Sequence, residues 1–424
     1  MNNHNNINQL TAHLFRENSG KMVAVLSRML GLNQIDRILD VVQDTFETAL
    51  CKWKFSGIPD NPSGWLMQVA KNKALNTIKR ENKIQAFSTS VYRSEVDKSF
   101  ENQFGGLLSP QDIKDSELRL LFACCHPRFS VKNQIIITLN ILCGFGIPEI
   151  ANALLMNEEA VKKALTRSKA SLRESGNLLQ TSIITQSAER IKTVQTILYL
   201  MFNEGYKTTR GKKAINNDLC YEAIRLARLL EKDNSIVSSA TNALLALMFF
   251  NIARFPARLD ASDEWLTLEE QDRSKWHTIF IEEGYYYLNI ATQSATVTRY
   301  HIEAIIASLH CAAPTFEATD WAKIARLYYQ LEHIAPSPLV TLNRIIAESY
   351  LSNADSIKAL DELAAHKDFK SNFLIPAVKG DVYKRKGEFK IARAFYEQAL
   401  SLSVSPADKK LLQKKILQCQ PNTN

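Results

Sequence analysis

Glycine and proline are scarce, at 14 and 12 in 424 residues. Strand-rich folds place both residues in their many tight turns, so this shortage argues against one. It predicts long helices joined by short loops. Cysteine offers no scaffold either. The 7 cysteines (51, 124, 125, 143, 220, 311 and 419) are odd in number and lack paired spacing, which fits reduced thiols. Long hydrophobic runs are missing as well. The most apolar stretches, 135–142 and 243–250, fall well short of the roughly 20 residues a bilayer helix needs, so no membrane association is expected. The opening Met-Asn-Asn-His-Asn-Asn has no basic and no apolar segment of an export signal, and a cytoplasmic protein is expected. Motifs for zinc hydrolysis (H-E-x-x-H), a nucleophile elbow (G-x-S-x-G) or a phosphate-cradling glycine loop do not occur. Neither enzyme chemistry nor a cofactor is expected.

What is present is ordinary globular material, with 46% hydrophobic and 23% charged residues. The length suggests two to three domains. The net charge of +8 is unevenly placed. Lys71, Lys73, Lys79, Arg80 and Lys83 stand against one acid, Glu81. Between 162 and 173, Lys162, Lys163, Arg167, Lys169 and Arg173 stand against none. One such cluster alone is better read as a solvated helix face; two of them in helical context point to a polyanion.

Residues 9–84 read as three or four helices. Ile35, Ile38, Leu39, Val42, Phe46, Ala49, Leu50 and Trp53 form an apolar stripe, and Asp36, Asp40, Gln43, Asp44 and Glu47 an acidic one opposite. After a break at 55–60, Asn61-Pro62 starts a helix: Asn61 caps it, and Pro62 at the first position loses nothing by lacking an N–H. There Trp65, Leu66, Val69 and Ala70 face inward, while Asn72, Asn76, Lys79, Arg80 and Lys83 step along the outer face. Residues 85–115 have little periodicity and read as a linker. From 148 to 173 a short helix, a turn at 156–157 and a helix capped by Asn157 read as a helix-turn-helix, with Ile150, Leu154, Val161 and Leu165 buried and Ala151 at the crossing. Leu155 stands where glycine is usual in that turn. Near the end, Gly380, Tyr383, Ala392, Tyr396 and Ala399, with Gly387 at a turn, follow the spacing of a tetratricopeptide repeat. A weaker copy lies at Ala347, Tyr350, Ala359 and Leu363.

In this order the motifs resemble a bacterial RNA polymerase sigma factor of the sigma-70 superfamily. The similarity is to the extracytoplasmic-function class, in the subgroup with a long tetratricopeptide-type C-terminal extension. Asp40-Val-Val-Gln-Asp-Thr-Phe46 resembles the polymerase-binding helix of sigma region 2. Asn61-Pro-Ser-Gly-Trp-Leu-Met-Gln-Val-Ala-Lys-Asn-Lys-Ala-Leu-Asn76 resembles the helix that reads the −10 element. Glu149-Ile-Ala through Arg173 resembles region 4, which reads the −35 element. Leu121-Phe-Ala-Cys-Cys-His-Pro127, Asn203-Glu-Gly-Tyr206, Glu270-Gln-Asp-Arg-Ser-Lys-Trp276 and Ala335-Pro-Ser-Pro338 resemble the long-extension subgroup.

The resemblance implies an all-α fold: two small helical sigma domains joined by a flexible linker, then a helical repeat domain. Its expected boundaries are 1–90 for region 2, 91–115 for the linker, 116–178 for region 4, 179–320 for a helical extension and 321–424 for the repeats. It implies two partners, core RNA polymerase and promoter DNA, duplex and melted. Asp40, Gln43, Asp44 and Glu47 would face the Arg-rich clamp helices of the β′ subunit, with Val41 adding apolar area. Asn72 and Asn76 are candidate base readers at −10, because an amide both donates and accepts. Lys73, Lys79, Arg80 and Lys83 would grip phosphates. Trp53 or Phe55 would give an unstacked base a stacking face. At −35, Glu158, Glu159, Lys162 and Lys163 would reach base edges, and Thr166, Arg167, Lys169 and Arg173 phosphates. The extension is expected to be regulatory, with a peptide or protein as possible ligand. A helix-turn-helix regulator or repeat adaptor that never joins the polymerase is the competing reading.

Two further clusters carry little chemistry at this level. Cys124-Cys125-His126 with Cys143 suggests zinc, but adjacent cysteines on a helix point to different faces, so no metal site is expected. Glu204 and Tyr206 offer a carboxylate and a phenol at what reads as a helix end turned by Gly205.

Overall fold

A computed structural model of the protein describes residues 2–85, 109–154, 156–174, 188–206, 215–231, 238–262, 264–366, 369, 372–403 and 406–419. Side chains at 2–10, 12, 13, 16, 78–85, 152, 153, 353 and 354 lie outside that description. The described residues are mostly helical, with one isolated β-bridge between Leu259 and Trp265 and no strand. None of the helices is long and apolar enough to cross a membrane. The chain forms two compact bodies, one built up to Leu200 and the other from Met201 onward.

The first body is organised around α1 (Asn2–Leu30). Met22, Val23, Ala24, Val25 and Leu26 are consecutive and all buried, so this helix is covered on every side there. Gly31, at φ 85°, ends it and leads through a 3-10 turn (Leu32–Gln34) into α2 (Ile35–Ser56). Of the stripe predicted on α2, Ile35, Ile38, Val42, Phe46, Ala49 and Trp53 are buried, while Leu39 and Leu50 are half-buried. Gly57, at φ 77°, breaks α2, and α3 (Pro62–Gln85) begins with Asn61 Oδ1 accepting from the Gly64 amide at 2.9 Å.

The next helix starts earlier than expected. α4 spans Pro110–Cys124, so the end of the anticipated linker is helical: Ser109 caps the helix through the Asp112 amide, and Pro110 occupies the first position. Most of that linker, 86–108, lies outside the described residues, as does Leu155 in the later turn. α5 (Val131–Ile141), α6 (Ile147–Leu154) and α7 (Glu158–Arg173) follow. Ile150, Ala151, Val161 and Leu165 are buried where α6 and α7 meet; Leu154 is half-buried. Cys124 and Cys125 are both buried, because the end of α4 is enclosed and not a free helix surface. Burial raises the pKa of both thiols, Cys125 to about 12, which favours the neutral thiol.

α8 (Ala188–Tyr206) runs from the first body into the second. The second body continues through α9 (Asn217–Glu231) to α10 (Ser239–Ile252), whose run from Ala243 to Phe250 is buried all round; the apolar stretch at 243–250 is a core helix. Helices α11 (Thr278–Ala291) and α12 (Arg299–Ala312) pack on α10. Six more follow: α13 (Trp321–Ile334), α14 (Pro338–Glu348), α15 (Asn353–Ala364), α16 (Leu374–Arg385), α17 (Phe389–Leu402) and α18 (Pro406–Gln418). At the α16–α17 crossing a Cβ on Gly380 would fall 2.5 Å from the Tyr396 ring, so only glycine lets these helices approach as they do. The terminal helix returns to the middle of the chain. Lys410 meets Glu264 at 3.2 Å, Lys414 meets Glu270 at 2.7 Å, and Leu411 packs near Trp265.

Candidate nucleic-acid interface

Amphipathic spacing puts Asp40, Gln43, Asp44 and Glu47 on one exposed stripe of α2. Gln43 Nε2 donates to Glu47 Oε1 at 3.1 Å, and among the described residues no basic side chain lies within ion-pair distance of the three carboxylates. Val41 is only 7% exposed, so it supports the helix from below and offers a partner little area. Beyond α2 the two aromatic candidates separate. Trp53 is 2% exposed and packs against Trp65, ring centroids 5.4 Å apart. It is a core residue and cannot stack a base. Phe55 is 92% exposed beside the Gly57 break, where a flat ring can receive one.

On α3, Asn72 and Asn76 are exposed; Gln68 Nε2 donates to the Asn72 amide oxygen at 3.2 Å. Lys73 turns the other way. Its ammonium donates to the Asp44 carbonyl at 2.7 Å and to Thr48 Oγ1 at 2.8 Å, tying α3 to α2. That lysine is placed to hold the two helices together and not to grip phosphate. The side chains of Lys79, Arg80 and Lys83 lie outside the described residues.

α7 is capped as its sequence predicts, with Asn157 Oδ1 accepting from the Ala160 amide at 2.7 Å. Glu158, Glu159, Lys162, Lys163, Thr166 and Arg167 are exposed, and Val161, Leu165, Ser168 and Leu172 are buried beneath them. The Thr166 hydroxyl is already donating to the Lys162 carbonyl at 2.9 Å. The last two candidates on α7 face protein. Arg173 Nη1 pairs with Asp36 Oδ2 at 2.5 Å. Lys169 is half-buried; burial lowers its pKa, while the carboxylates of Asp36 and Asp40 pull it back up. Sequence reasoning could not see these pairings, since the residues are more than 100 positions apart.

The second body hides its chemistry. Gly205 sits where a Cβ would fall 2.8 Å from Cys220 Sγ, and its carbonyl accepts from the Asn216 amide at 2.8 Å. Arg258 donates to the Tyr206 carbonyl at 2.8 Å and lies over two rings, at 3.6 Å from Tyr206 and 4.6 Å from Trp265. Trp276 is flanked by Arg254 and Arg273 in the same manner, at 5.4 and 4.9 Å. Glu204 is half-buried and its pKa is raised by burial. Among the described residues there is no cluster of ligands able to hold a metal ion. The two motifs read from the sequence around 206 and 276 thus form arginine–aromatic stacks within a core.

Residues 14–84 match sigma-70 region 2. Residues 190–292 match a family described as a family of unknown function (DUF6596). An uncharacterized protein of Rhizobium meliloti (strain 1021) is 33% identical over 376 residues, covering 88% of this chain and 88% of that one. No solved structure matches the chain. The sigma-70 match contains the whole of the exposed acidic stripe and both exposed asparagines of α3. The chain belongs to the same family as the Rhizobium meliloti protein, and its N-terminus is a sigma-70 region 2 domain.

Proposed function

We propose that this chain is a sigma factor of the extracytoplasmic-function class, which joins core RNA polymerase, reads −10 and −35 elements and stabilises melted DNA. One observation carries the reading: the exposed acidic stripe Asp40, Gln43, Asp44 and Glu47 lies inside the segment that matches sigma-70 region 2. Such a surface repels DNA and needs a basic protein partner, which the β′ clamp helices would supply. Asn72 and Asn76 then read bases at −10, with Phe55 stacking an unpaired base. Lys79, Arg80 and Lys83 add phosphate contacts. Glu158, Glu159, Lys162 and Lys163 meet −35 base edges from the first turns of α7, and Thr166 and Arg167 the flanking phosphates. The second body acts as a regulatory extension of tetratricopeptide type, favouring or blocking the spacing of the two readers.

The test is co-purification with core polymerase, followed by gel shift of promoter DNA with and without it. Reversing Asp40 and Asp44 together to Lys should lower polymerase binding by about tenfold or more. The melting temperature should stay the same, because both side chains are exposed. Association that survives the double reversal, or that never occurs with the native chain, refutes the assignment. Lys162→Ala should relax −35 choice, whereas Arg167→Ala should weaken matched and scrambled promoters alike.

A further inference from the structure

Two helices of the second body leave a cavity of about 470 Å³, lined by Ala322, Ala325, Arg326 and Tyr329 of α13 and by Glu348 and Leu351 where α14 ends. The four α13 residues recur at helical spacing and share one face. Alanine at 322 and 325 keeps that face low, so a hollow exists there. At the end of α14 the Leu351 and Ser352 amides both donate to the Glu348 carbonyl at 2.9 Å. That turn leaves Leu351 56% exposed, and Tyr329 of α13 is 58% exposed. The frame around them is firm. Trp321 stacks on Tyr350 with ring centroids 4.1 Å apart, and Ala325 packs into one core with Ile324, Leu331, Val340 and Ala347.

The two walls differ in charge. Arg326 is exposed, and among the described residues no carboxylate lies within ion-pair distance of it. Glu348 accepts from Arg344 Nη1 at 2.8 and 2.9 Å, but the same guanidinium also donates through Nε to Glu332 at 2.9 Å. One cation serving two carboxylates leaves a negative charge over at that wall. Small-ligand sites span about 300–1,000 Å³ and combine an apolar lining with a few polar groups that fix orientation. This hollow has that make-up, and its volume limits the occupant to a few residues.

We propose that the cavity binds a short apolar peptide by both of its ends. The carboxylate pairs with Arg326, the ammonium turns toward Glu348, and the aliphatic side chains cover the alanines between Tyr329 and Leu351. A ligand with a single charge would leave one wall unanswered, and an unbroken chain passing through would bring neither terminus. The proposal rests on the reading of the second body as a regulatory extension and names the ligand that extension takes. Binding itself needs no polymerase.

The test is calorimetric titration of the full chain with dileucine, its N-acetyl form and its C-terminal amide. Dileucine should bind once per chain, and blocking either end should weaken it about three- to tenfold. Arg326→Gln should cost dileucine the same factor and leave the amide, which already lacks the carboxylate, unchanged. Leu351→Ser should weaken all three ligands alike. Both side chains are exposed, so the melting temperature of either variant should match that of the native chain. No binding of dileucine overturns the proposal, as does an Arg326→Gln variant that weakens dileucine and its amide equally. Blocked forms that bind as tightly as dileucine assign the cavity to an internal segment of a partner protein and overturn it too. None of these outcomes bears on polymerase association, which the Asp40 and Asp44 reversal tests separately.

Discussion

Arg167 of α7 lies exposed on the first body, and Arg173 reaches only an acid on a neighbouring helix, where water can replace it. Arg258 of the second body is 8% exposed, donates to a backbone carbonyl and lies between two aromatic rings. Burial pulls its pKa from the ordinary arginine range to about 10, with Tyr206 acting in the opposite sense. A surface guanidinium is available to an outside anion at small desolvation cost. A buried one is held by groups already in place and can recognise nothing without unpacking them. The difference teaches where to look for recognition in this chain. The first body leaves Arg167 at its surface, whereas the second body holds Arg254, Arg258 and Arg273 against aromatic rings.

Three substitutions sharpen that contrast. The largest effect belongs to Trp53. Trp53→Ala should destabilise the first body by about 3–5 kcal/mol, whereas Phe55→Ala, two residues on, should stay within about 0.5 kcal/mol. Urea unfolding of the two variants side by side gives the answer; equal losses would mean the tryptophan is not core. Next comes Arg258→Met, which leaves the Tyr206 carbonyl without its donor and removes two cation–π contacts. Its cost should be about 2 kcal/mol, since removing a buried charge offsets part of the loss. A neutral or stabilising result in thermal unfolding would move Arg258 to the surface class.

The effect that is smallest at neutral pH is a pH slope. His310 packs edge-on to Trp321, ring centroids 5.5 Å apart, and burial followed by Arg254 and Arg273 lowers its pKa from 6.5 to about 3. Between those values the unfolded chain binds the proton and the folded chain does not. Stability from this group is therefore complete above pH 6.5 and is lost as pH falls toward 3, by at most about 1.4 kcal/mol per pH unit. His310→Gln should flatten that part of the stability curve for the second body. Identical slopes with and without the imidazole between pH 6.5 and 4.5 would remove His310 from the account.

Much of the first body could be read from periodicity and capping. The α2 stripes, the Asn61 and Asn157 caps and the buried set of the helix-turn-helix follow from local rules, because each depends on neighbours within four residues. Trp53 and Phe55 looked equivalent for a different reason. Both are aromatic residues near a helix end, and only the proximity of Trp65 buries one of them. Lys73 belongs to a basic cluster by composition, yet Asp44 and Thr48 are near enough to claim it. The helical start at Pro110 was hidden by a stretch of polar residues, although Ser109-Pro110 is a good helix beginning.

Scarcity of turn-formers, the spacing of apolar residues and the order of charged segments were enough to specify an all-helical chain, the acidic and basic faces, and the family resemblance. These are properties of single helices and need no knowledge of what lies beside them. Which cations are paired, which aromatic ring is exposed and whether α2 and α7 touch depended on contacts between residues far apart in the chain. Burial and pairing are set by the atoms that fold up against a side chain, and for Arg173 the decisive atom belongs to Asp36.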